Sequence, residues 1–165
     1  MTERTLFLKF WVKEADATRK VISRIPEDRS DYRPDPKART ARELAWLLVR
    51  EDIVLVDGLE KGAFEWVEVP VPLTVKEILD IYDRGHEDLS KRLHGVSADR
   101  WEGQVPFMFD GKEVMSATGY EGAWGFFLDQ IHHRGQLSTY LRPMGSTVPQ
   151  IYGPSADEPT SMPAT

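Results

Sequence analysis

Several polar side chains sit where the sequence pattern asks for apolar ones. After Thr40, Leu44, Leu47, Leu48, Leu55 and Leu59 recur at helical spacing, and Glu51 falls in the same stripe. A carboxylate there either sits at the stripe's edge, reaching water or an arginine, or is a metal ligand or acid–base group with a displaced pKa. After Thr74, Val75, Ile78, Leu79, Tyr82, Leu89 and Leu93 line a second stripe, interrupted by His86. An imidazole in that place is a satisfied core residue or a ligand. The third set lies in Trp124–Gly145, WGFFLDQIHHRGQLSTYLRPMG. Asp129, His133, Gln136 and Tyr140 follow spacings of four, three and four and stack as one polar stripe. Trp124, Phe127, Leu128 and Ile131 fall on roughly the opposite side. His132 is turned by about 100° from His133, so the two cannot point into one pocket, and His132 reads as an interface or surface residue. His94, next to Gly95, reads as a surface residue at a helix end.

The elements that position these residues can be traced in order. Leu6, Phe7, Phe10, Trp11, Ala17, Val21, Ile22 and Ile25 predict an amphipathic helix ended by Pro26. PEDRSDYRPDPKAR is a long connection. Thr40 with Glu43, and Thr74 with Glu77, are capping-box signatures for the next two helices. Residues 63–73, with Pro70 and Pro72, read as a connection. Asp110-Gly111 between two short apolar runs predicts a small hairpin, with Trp101 packed under it. The last helix is expected from about Thr118 to Arg142, packed on both faces, one against the inside of the bundle and one against another subunit.

The chain's 165 residues suffice for one domain with a real core, expected over 1–153, followed by a flexible tail over 154–165. The net charge of −6 and the lack of a basic run disfavour nucleic acid as a partner. The absence of cysteine excludes disulfides, thiolate–zinc sites and a cysteine nucleophile, and fits a cytoplasmic setting. The charged N-terminal run MTERTLFLKFWVKEAD is not expected to be a signal peptide, and no apolar run is long enough to cross a bilayer.

The pattern of four long helices, a long gap before the last, and the HHRGQLSTYLRPMG run resembles the DinB-like (DNA-damage-inducible, YfiT-related) family. HHRGQ followed by YLR and a glycine carries the likeness, which extends into IYGPSADE. The resemblance implies an all-α four-helix bundle of up-up-down-down connectivity, with the small β-hairpin excursion before the last helix, commonly a homodimer. It also implies a divalent metal (Zn, Ni, Mn or Fe) on three histidines, one from the second helix and two from the last. The last of these matches His133. The one a turn earlier falls on Asp129, a workable ligand, but the second-helix position falls on Leu47, which cannot bind metal. Either Glu51 or His86 could complete a mixed site with Asp129 and His133. The family then implies a hydrolase or thiol-dependent transferase, with Gln136 and Tyr140 orienting the substrate. The alternative is a non-catalytic dimeric stress-related binding or scaffold protein that has lost its metal and keeps these groups hydrogen-bonded to one another.

Overall fold

The structure, a computed structural model, describes residues 1–159. Four long helices carry the fold: α1 (Glu3–Ser23), α2 (Ala41–Lys61), α3 (Val75–Gly95) and α5 (Gly119–Leu141). The short α4 (Ala98–Glu102) precedes the hairpin of β2 (Gln104–Phe109) and β3 (Lys112–Thr118). Each long helix starts on a threonine whose hydroxyl accepts a backbone N–H three residues on. At Thr40, Thr74 and Thr118 a glutamate completes a capping box, which satisfies two otherwise orphaned donors. α2 lies against α3 and α5, and α1 lies against the same two helices.

The sheet has three strands where the sequence pattern predicts two. β1 (Phe64–Trp66), inside the expected 63–73 connection, pairs in parallel with β2, and β2 pairs antiparallel with β3. Asp110 and Gly111 both take positive φ, 46° and 77°, as a tight hairpin turn requires. Phe64 pins the sheet to the helices. A Cβ on Gly58 would approach its ring to 2.3 Å, and one on Gly122 would do the same from α5. Trp101 is buried beneath, edge-on to Phe7 at 5.3 Å.

The apolar core falls into two clusters. One gathers Val21 and Ile22, Leu44 to Val49, Val75 to Tyr82, and Leu137 to Met144; the other gathers Phe7 and Trp11, Val54 to Leu59, Leu89 and Leu93, and Ala123 and Phe127. Between them every long helix places polar groups at its middle: Glu14 and Thr18 from α1, Glu51 and Asp52 from α2, His86 from α3, Gln130 and Arg134 from α5. The bundle therefore has a polar waist. Charged groups stay in such a place only when they are paired.

The α1–α2 connection is a closed loop. Ala41 N donates to Tyr32 O and Arg42 N to Ser30 O, both at 2.9 Å, so the chain returns to its own starting point before α2 begins. At the other end, the tail expected to be loose from residue 154 is tied down as far as it is described. Ser155 donates to Val148 O at 2.6 Å, and Asp157 accepts from Val148 N at 2.8 Å and pairs with Arg142 at 3.0 Å. Residues 160–165 lie outside the described residues.

Candidate metal centre

α2 and α5 pack side by side and bring one carboxylate, one imidazole and a second carboxylate together. Ligand atoms of Glu51, Asp129 and His133 all lie within 4.8 Å of one another. His133 Nδ1 is 2.9 Å from Glu51 Oε1 and 3.7 Å from Asp129 Oδ2. Burial is graded: Glu51 is 2% exposed, the His133 side chain 14% and the Asp129 side chain 56%. The group thus opens outward through Asp129, into a chamber of about 400 Å³ that also touches Arg39, Leu47, Trp66 and Phe126.

Burial pushes the Glu51 carboxyl up to about 7, against the opposing pull of His133. The hydrogen bond to Glu51 raises the His133 imidazole in turn, against its own partial burial. Glu51 Oε2 is buried and has no hydrogen-bond partner among the described residues. An unpartnered buried carboxylate oxygen costs free energy, and one that faces two other ligand types fits a cation. Two carboxylates and one imidazole suit Zn, Mn, Fe or Ni, and three protein ligands leave positions open.

Glu51 is the buried member of the group rather than an edge residue, and Leu47, where the resemblance places a histidine, lines the same chamber. His86 is elsewhere. It stacks between Trp11 and Tyr82, with centroids at 5.7 and 5.6 Å, and its Nδ1 lies 3.9 Å from Asp52 Oδ2. Asp52 leaves α2 one residue after Glu51 and therefore points in a different direction, so His86 cannot complete the triad. Gln136 and Tyr140 are not at the chamber either. Gln136 is exposed and hydrogen-bonded to His132 at 2.9 Å, and Tyr140 is buried edge-on to Tyr32 at 5.7 Å. His132 is exposed, and so is His94, which bonds Ser90 O at 2.7 Å.

The α5 faces also differ from the pattern reading. Its buried stripe is Ala123, Phe127, Gln130, Arg134, Leu137 and Leu141, while Leu128 is 60% exposed. Gln130 donates to Leu48 O at 3.0 Å and to the Asp52 carboxylate. Arg134 pairs with Glu14 at 2.6 Å and donates to Thr18 Oγ1 at 3.2 Å. The spacing of three and four through 123, 127, 130, 134, 137 and 141 was the available signal, masked because two of its members are polar.

A mostly helical fold with a small sheet and a carboxylate–imidazole group between two helices defines a class, and comparison with known proteins gives it a name. The profile of the DinB family matches residues 1–164, and the chain belongs to that family. It is 29% identical over 155 residues, covering 92% of this chain and 89% of the relative, to the uncharacterized protein YrdA of Bacillus subtilis (strain 168). Two crystal structures share the fold. A DinB-like protein from Bacillus cereus superposes with a TM-score of 0.73 at 24% identity, covering 88% of this chain and 95% of the other. One from Bacillus subtilis gives 0.70 at 17%, covering 88% and 96%.

Proposed function

We propose that the protein is a divalent-metal-dependent enzyme of hydrolase or thiol-dependent transferase type, built on a four-helix bundle of up-up-down-down connectivity. Glu51, Asp129 and His133 would hold the ion. The observation that carries this reading is the unpartnered, buried Oε2 of Glu51 within 4.8 Å reach of two further ligand residues. When bound, the metal supplies Lewis-acid activation of water or of a thiol cosubstrate. The chain's own residues do the rest. Glu51 is fixed by α2 and by burial, His133 is oriented by its bond to Glu51, and Asp129 stands at the mouth where substrate arrives. Without the ion the Glu51 carboxyl lies near neutrality, so binding the metal would displace its proton.

Elemental analysis of protein purified without added metal tests the reading, together with melting with and without chelator. Bound Zn, Ni, Mn or Fe and a chelator-sensitive melting temperature support it. No bound metal, and no shift with any of the four, overturns it. A second reading, a non-catalytic dimeric binding or scaffold module, is favoured by the direct 2.9 Å Glu51–His133 contact, which holds the pair together without metal. It predicts that His133→Ala lowers stability in a metal-free protein that sediments as a dimer.

A further inference from the structure

Three chambers adjoin along one side of the molecule and share walls. The metal chamber shares Phe107, Phe126 and Asp129 with an apolar chamber of about 590 Å³ between the sheet and α5. That chamber is walled mainly by Phe64, Val105, Phe107, Met115, Phe126 and Leu128. On its other side the metal chamber shares Arg39, Leu47, Trp66 and Glu68 with a chamber of about 290 Å³ beside the α1–α2 loop.

The third chamber gathers four cations, of which Arg50 is held by Val67 O at 2.9 Å and lies over the Trp66 ring. Arg33, Lys37 and Arg39 line it, and none of their side chains makes a hydrogen bond or ion pair among the described residues. Elsewhere Arg19, Arg24, Arg42, Arg92, Arg134 and Arg142 pair with carboxylates, while Arg4 and Arg84 donate to backbone carbonyls. The carboxylates that share the chamber are Glu43 and Glu68, and Glu68 faces Arg50 rather than the loop cations. Glu43 is already engaged by Thr40 N at 2.7 Å in the α2 cap. The Trp46 indole N–H, also in this chamber, is buried and has no acceptor among the described residues. Three exposed cations clustered around one unused buried donor favour a negatively charged, hydrogen-bond-accepting group over a neutral one.

We infer that the substrate is an amphiphilic organic anion. Its apolar body lies against Phe107, Phe126 and Leu128, its anionic group lies toward Arg33, Lys37 and Arg39, and its reacting group falls between them at Glu51, Asp129 and His133. The position of the reacting group rests on the metal-dependent reading above; the two binding ends do not.

The test uses the full chain, loaded with zinc and metal-free, and two fluorescent probes: anilinonaphthalene sulfonate and its uncharged parent, phenylnaphthylamine. The anionic probe is expected to bind about tenfold tighter than the neutral one. Replacing the loop cations together (Arg33→Gln, Lys37→Gln, Arg39→Gln) should abolish that preference and leave the neutral probe's affinity unchanged. Leu128→Glu, at an exposed position that folding tolerates, should weaken both. Equal affinity for the two probes, or indifference to the cation substitutions, overturns the inference. So does a sedimenting dimer that Leu128→Glu dissociates, because the apolar chamber would then be covered by a second copy. Calorimetric titration with zinc separates the two claims. Zinc binding in an unaltered protein that shows no preference for the anionic probe removes the anion inference alone. Absence of zinc binding in the unaltered protein removes the metal reading and leaves the probe result standing.

Discussion

Glu51 and His133 make the protein's stability depend on pH in a calculable direction. The Glu51 carboxyl is raised from its ordinary 4.5 to about 7 in the folded chain. A group that holds its proton more tightly when folded stabilises the native state fully below pH 4.5, and that contribution is lost as pH rises through about 7. His133, raised above 6.5, acts in the same direction, full below 6.5 and lost above its raised value. Metal-free protein should therefore lose stability between about pH 5 and 8, by on the order of 3 kcal/mol, measured by urea unfolding across that range. Metal binding requires both protons to leave, so the metal-saturated protein should show a flattened or reversed profile. Glu51→Gln should abolish metal-dependent stabilisation while leaving the metal-free protein folded and less sensitive to pH. Of this chemistry, Glu51 could be found from periodicity, as a carboxylate inside an apolar stripe, whereas Asp129 and His133 came as ligands through the family resemblance, because the stripe that held them also ran through Gln136 and Tyr140, which lie elsewhere. Asp52 could not be found from periodicity, since a charged residue beside an apolar stripe is ordinarily solvated.

The helices were legible at their ends because capping is local. Thr40 with Glu43 and Thr74 with Glu77 announce themselves within four residues, and both boxes form. The face of α5 was not legible, because Gln130 and Arg134 look like surface residues until partners from α1 and α2 are known. Strand β1 was missed for a related reason. Phe64–Trp66 is three residues long and pairs in parallel with Phe107–Phe109, far along the chain. Two substitutions test how these elements lock. Gly122→Ala places a methyl group against the Phe64 ring and should cost about 1–3 kcal/mol in urea unfolding. Arg134→Met leaves Glu14 buried without its cation and should cost about 3–5 kcal/mol, and a paired Glu14→Leu change should recover most of that loss.

Across the whole molecule, the polar waist divides two apolar clusters, and the candidate metal group includes one of its members, Glu51. The fold class was readable as mostly helical with a small excursion, and the family match over 1–164 agrees with the HHRGQ signature. The described helices include none long and apolar enough to cross a membrane. If the site binds metal, adding ion to about one hundred times its dissociation constant should raise stability by about 2.7 kcal/mol, read as a higher melting temperature that chelator reverses.

The loop from Ser30 to Arg42 is closed at its neck by two backbone hydrogen bonds, which fix where it leaves the bundle and returns. Its tip can change length or composition at little entropic expense to the scaffold. On the anion-binding proposal, the loop tip is then a detachable cassette: exchanging its cations changes the guest while Glu51, Asp129 and His133 stay as they are.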